Sequence, residues 1–286
     1  MSSQVNTARR SARNAATSPA MTGLARLGYA IKGVVYIVIG VLAFLLVTGH
    51  GGQLTDQNGA LKAIYDSPLG EGFGRLLLVV VTIGLFAFAL WSLIQALFDT
   101  EAKGRQAKGI IARVGYAAVA VSYALLGFGA LQIVMSGSPN GSSRNSTTSA
   151  QNWTGLLLKQ PAGVFLVIVV GIAVLCIAAY LVYKAYRAPF RQRLNLSTLS
   201  PRSQRTVVNI GRMGYGALSI VFAIVGFFLI VAAYKHNSND ARGLDSALVE
   251  LLKQPFGPWL VGIVAIGLIA YGVYSFVEAR YRKVGR

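Results

Sequence analysis

Six apolar stretches fix most of what this chain can become: about Gly28–Val47, Leu76–Phe98, Val114–Met135, Val164–Tyr183, Gly214–Tyr234 and Trp259–Val277. An α-helix rises about 1.5 Å per residue, so about 20 apolar residues cover the roughly 30 Å hydrocarbon core of a bilayer. Apart from Lys32, none of the stretches contains Asp, Glu, Lys, Arg or His. Strands of a membrane barrel would alternate with period two over about 10 residues. Runs such as "LLLVVVTIGLFAFALW" are instead apolar on every side, so helices are predicted. With only 13% charged residues, against about a quarter in soluble chains, little is available for a polar surface. The chain reads as an all-α integral membrane protein with six transmembrane helices.

The 27 Lys and Arg residues are unevenly placed. Put the N-terminus, the loops after the second and fourth stretches and the C-terminus on one side. That side then holds 20 of them, counting Lys32, with 3 acids, and the other side holds 7 with 6 acids. Basic loops are retained in the cytoplasm, which predicts cytoplasmic termini. The net charge of +18 therefore reads as topology. Nucleic acid is not an expected partner, because the basic loops lack interleaved aromatics and any recognisable fold. Residues 1–24 read as a disordered basic tail before an uncleaved anchor, although their Ser, Ala and Arg content also fits a transit peptide. The lone Cys176 reads as a buried apolar filler.

The phrase "ARLGYAIKGVVYIVIG" at Ala25 returns as "ARVGYAAVAVSYALLG" at Ala112 and "GRMGYGALSIVFAIVG" at Gly211. All three share R-x-G-Y-x(10)-G. The second spans also align, at "GLFAFALWSLIQA", "AVLCIAAYLVYKA" and "GLIAYGVYSFVEA". Before them stand "LLLKQPAG", "LLKQPFG" and a looser "AIYDSPLGEGFG". The unit is a helical hairpin used three times: 25–98, 112–183, and 211–286 with a basic tail, joined by linkers 99–111 and 184–210. Two spans per copy insert all copies in the same orientation. Closure around a pseudo-threefold axis is the expected arrangement, and an open row is the alternative.

The R-x-G-Y opening, the "KQPFG" element and the "GLIAYGVY" type of ending resemble the bacterial domain-of-unknown-function family 1206 over about Ala25 to Ala279. The resemblance implies tandem two-span membrane repeats and a bacterial plasma (inner) membrane location. It implies no biochemical activity. The first copy departs from the pattern at "SPLGEGFG", with about four extra residues after Pro68.

Several recurring positions are candidate sites. Arg26, Arg113 and Arg212, each followed three residues on by Tyr29, Tyr116 or Tyr215, read as lipid-headgroup anchors. Tyr36, Tyr123 and Phe222 lie ten residues past those arginines, near the midplane, where they could form an axial aromatic constriction. Gln95, Lys184 and Glu278 share one position, and Lys184 and Glu278 are a candidate ion pair between repeats. Lys32 is expected to snorkel back to the headgroups. "ALVELLKQPFGPW" reads as a short amphipathic helix on the outer leaflet, with Asp245 able to cap it, and "SGSPNGSSRNSTTSAQNW" as a disordered connection.

No converging set of titratable, metal-ligating or phosphate-cradling residues is legible, so an enzyme and a bound cofactor are not expected. A coupled transporter would place a carboxylate or a broken helix at the midplane. The leading expectation is a non-catalytic scaffold that binds anionic lipid or a membrane-protein partner. The alternative is a passive channel or transporter for a small solute along the repeat axis.

Overall fold

The long apolar runs become helices because nothing breaks them, and because lipid forces each backbone N–H and C=O to find its partner within the segment. A computed structural model describes residues 19–66, 70–98, 107–137, 146–160 and 162–283. Its α-helices are α1 Pro19–Val47, α2 Gln57–Tyr65, α3 Glu71–Phe98, α4 Ala107–Ser136, α5 Ser146–Leu158, α6 Gly163–Arg187, α7 Pro201–Tyr234, α8 Leu244–Leu252 and α9 Gly257–Tyr281. Six of them (α1, α3, α4, α6, α7 and α9) are long and apolar enough to cross a membrane. The predicted all-helical, six-span architecture is the observed one.

Helices outrun the apolar stretches wherever no residue stops them. α7 starts at Pro201, whose fixed φ suits the first turn, and the Ser200 hydroxyl accepts from the Ser203 N–H at 3.3 Å. α1 begins at Pro19, inside the predicted tail, and residues 1–18 lie outside the described residues. α5 occupies the second half of the connection expected to be disordered. It buries Thr154 and packs Ala150 against Leu229 and Ala232 of α7. α8 is the short helix foreseen at "ALVELL", but Gly243 is its N-cap and Asp245 sits within the first turn. Leu244, Ala247 and Leu248 of α8 are buried, and the helix packs against α7 and α9.

The "KQPxG" element is a tight turn with a fixed job. Gly257 N–H donates to Gln254 O at 2.8 Å, and Gly163 N–H to Gln160 O at 2.9 Å. The preceding Phe256 and Ala162 are left-handed, with φ of 61° and 65°. A Cβ on Gly257 or Gly163 would collide with the carbonyl of Leu252 or Leu157. In the first copy Gly74, within the first turn of α3, would likewise bring a Cβ onto the Tyr65 carbonyl.

Packing joins neighbouring repeats more than it joins the halves of one repeat. The heaviest seams are α1 with α9, α6 with α7, and α3 with α4. Within repeats, α1 packs on α3 and α7 on α9. Among the described residues, α4 and α6 form no such packed pair, so the helices run in cyclic order and stay open between them. The expected threefold closure is thus incomplete: the second hairpin is split, with α4 held by α3 and α6 by α7. At the α1–α9 seam the backbones nearly touch. A Cβ on Gly33 would sit 2.7 Å from the Gly272 oxygen, and one on Gly272 would sit 2.6 Å from that of Gly33.

Candidate functional site

At the end of the bundle that carries both termini, the sequence places basic residues on helix ends, and packing draws several of them inward. Lys32 of α1 is 6% exposed and Glu278 of α9 is 5% exposed. Lys32 Nζ lies 3.3 Å from Glu278 Oε2 and also donates to the Tyr271 hydroxyl at 3.3 Å. Arg282, one helical turn beyond Glu278, contacts the other carboxylate oxygen at 2.9 Å. Rings complete the shell. The Lys32 ammonium lies 4.9 to 5.4 Å from the centroids of Tyr29, Tyr271 and Phe88, and the Arg282 guanidinium lies 4.7 Å from that of Tyr29. The ring faces carry partial negative charge, so they supplement one carboxylate shared by two cations.

The expected Lys184–Glu278 ion pair does not form. Lys184 Nζ stands 3.7 Å from the Tyr215 ring centroid, while Glu278 is engaged by Lys32 and Arg282. The reason is geometric: the α1–α9 seam is close enough at Gly33 and Gly272 to bring Lys32 directly over Glu278. Lys32 therefore does not snorkel. Beside the cluster, the turn Pro189–Arg193 buries Phe190 between the rings of Tyr215 and Tyr274, at 5.2 and 5.0 Å. Asn195 N–H donates to Tyr281 O at 2.7 Å and Lys283 N–H to Arg193 O at 2.9 Å, clasping this turn to the end of α9.

The three arginine–tyrosine pairs do not behave alike. Arg113 donates to the carbonyls of Ala96 and Leu97 at 2.6 and 3.0 Å, and Arg212 to that of Tyr186 at 3.3 Å. Both therefore cap the second helix of the preceding repeat. Arg26 is exposed. Tyr29 and Tyr215 are buried and Tyr116 is half-buried, so the first two serve the core rather than an aromatic belt. Two of the midplane trio meet, since the Tyr36 and Tyr123 hydroxyls are hydrogen-bonded to each other, while the three do not form one ring of aromatics. The Tyr36 ring packs edge-on to Tyr271 at 4.9 Å and Tyr123 to Phe88 at 4.6 Å. Phe222 is half-buried and shares no ring contact with either among the described residues. Cys176 is exposed on α6, contrary to its expected burial.

Sequence reasoning missed the roles of Lys32 and Arg282. Both left a signal: Lys32 is the one charge inside an apolar stretch, and Arg282 is four residues beyond Glu278.

The cluster takes Lys32 from the first repeat, Lys184 from the second, and Glu278 and Arg282 from the third. Matches to the family described as Domain of Unknown Function (DUF1206) fall at residues 27–99, 114–188 and 213–282. The chain belongs to the DUF1206 family. In each DUF1206 copy the second helix ends three residues beyond the repeat position occupied by Gln95, Lys184 or Glu278. The chain is also similar to the "Uncharacterized protein YxxB" of Bacillus subtilis (strain 168), with 34% identity over 268 residues and 94% of each chain covered. No solved structure matches it.

Proposed function

We propose that this multi-pass membrane protein is a non-catalytic scaffold that binds anionic lipid, or a membrane-protein partner, at its basic end. Under this reading it sits in a bacterial plasma membrane with both termini cytoplasmic. The observation that carries the reading is the filled midplane. Tyr36 is buried against Tyr271, and Val35, Ile39, Leu85, Val221 and Leu268 around that level are all at most 2% exposed. A solute path would need polar groups along such a core. The basic end supplies the binding surface: Ala185, Tyr186, Arg187 and Arg212 line an open groove of about 490 Å³. Arg26 and Arg212 are exposed there, where phosphate headgroups lie.

Single cysteines at Tyr36, Tyr123 and Phe222, in a Cys176→Ala background, test the reading with a small charged thiol reagent in intact membranes. The expected result is no labelling from either side, with Ser2 and Asn140 replaced by cysteine as controls that react from opposite sides. Labelling at all three would replace the scaffold by the channel reading.

A further inference from the structure

Two of the three hairpins close on themselves through the same repeat positions, and the second does not. In the first, a Cβ on Gly28 of α1 would sit 2.6 Å from the Phe88 Cβ of α3, and one on Gly84 of α3 would sit 2.8 Å from the Ile31 Cβ of α1. In the third, Gly214 of α7 meets Tyr271 of α9, and Gly267 of α9 meets Ala217 of α7, just as closely. All of these residues are buried. Their counterparts by repeat position in the second hairpin are Gly115 and Ala118 of α4 with Ala173 and Ile177 of α6. Those residues are all exposed, Ile177 by 46%, and no described residue lies within 4 Å of a Cβ built on Gly115. Gly115, Ala118 and Ala173 are nevertheless small, as close approach of helices in lipid requires. The second hairpin carries the means of the contact without making it.

We propose that the second hairpin closes as the other two do, with Gly115 against Ile177 and Ala118 against Ala173, so that the bundle alternates between this open arc and a closed ring. The packing shows which joints give. The heavy seams bind the helices into pairs: α3 with α4, α1 with α9, and α6 with α7. Lighter contacts, α1 on α3 and α7 on α9, join these pairs to one another. The α3–α4 and α6–α7 pairs therefore swing on the central α1–α9 pair, each moving as a packed unit. Where the other hairpins have Gly84 or Gly267, the second has Ala173, so its closed form is slightly wider and meets methyl to methyl. A seam in lipid is held by packing rather than by a hydrophobic drive, and one such seam separates the two forms. Closure hides the exposed faces of α4 and α6, and opening offers them to the bilayer. This goes beyond the scaffold reading and does not depend on what binds at the basic end.

The test uses the full chain in membranes, with Ala118→Cys and Ala173→Cys together in a Cys176→Ala background and a protease site inserted within residues 138–145. After oxidation with copper phenanthroline and cleavage, non-reducing electrophoresis shows whether the two halves stay linked. A disulfide needs Cβ atoms about 3.5–4.5 Å apart, which closure supplies. Linked halves are expected. Adding Gly115→Trp is expected to lower their yield about tenfold by wedging the seam. That ring displaces no described residue from the glycine's own position in the open form, so normal expression with lost linkage separates blocked closure from misfolding. If the inserted site prevents expression, mass spectrometry of the disulfide-linked peptides reads the same outcome in the uncut chain. Unlinked halves in the double-cysteine chain overturn the proposal, and so does linkage that Gly115→Trp leaves unchanged. Equal linkage with Ala118→Cys and Ala173→Cys on separate, co-expressed chains also overturns it, and assigns the two faces to a second copy.

Discussion

Replacing Glu278 with Gln removes the carboxylate that Lys32 and Arg282 share while keeping its shape. The buried Lys32 then has no carboxylate within reach among the described residues, and the expected loss is about 3–5 kcal/mol of stability, measured by reversible unfolding in micelles. Lys32→Met is expected to cost less, because Arg282 still holds the carboxylate at 2.9 Å. The double variant Lys32→Met with Glu278→Leu is expected to lose less than the sum of its two singles, since the partners couple directly. At this scale the sequence named Glu278 and the right repeat position but the wrong partner. Helix rotation and the depth of the α1–α9 seam decide which cation meets the carboxylate, and neither is written in local spacing. The headgroup reading of Tyr29 and Tyr215 misses for the same reason: both rings are turned into the bundle, against Phe88 and Phe190.

Among the helices and turns, the "KQPxG" repeat shows why a short motif recurs. It needs a left-handed residue and then a position with no Cβ, so Gly257→Ala is expected to lower the melting temperature through a forced backbone shift costing about 1–3 kcal/mol. The same measurement on Gly262→Ala, where the nearest atom to an added Cβ is 3.7 Å away, is expected to show little change. Arg113→Ala frees two helix-end carbonyls of α3 and is expected to cost about 1–3 kcal/mol by the same assay. The six spans were legible because apolar length alone defines them. α5 was not, because "STTSAQNW" has the composition of a loop. Its helix is held by what it packs on, including Leu229 and Ala232 of α7.

For the molecule as a whole, the hairpin repeat could be read from the sequence, but the seams could not. The strongest contacts join the second helix of one repeat to the first helix of the next, and α1 meets α9 from the far end of the chain. Cutting the chain between α4 and α5, which form no packed pair among the described residues, should therefore do little harm. Residues 1–137 and 146–286, co-expressed as separate chains, are expected to co-purify through the α1–α9 seam. Gly33→Leu is expected to abolish that co-purification by blocking the approach to Gly272. The seam also carries a consequence for biosynthesis. Lys32 and Glu278 are 246 residues apart, and at roughly 5–20 residues per second a ribosome needs roughly 12–50 s to make the second after the first. Through that interval α1 holds a lysine without its carboxylate. A nascent chain that stops before α9 therefore exposes an unneutralised charge inside its first helix, a mark by which a quality-control protease of the membrane could tell an unfinished copy from a finished one.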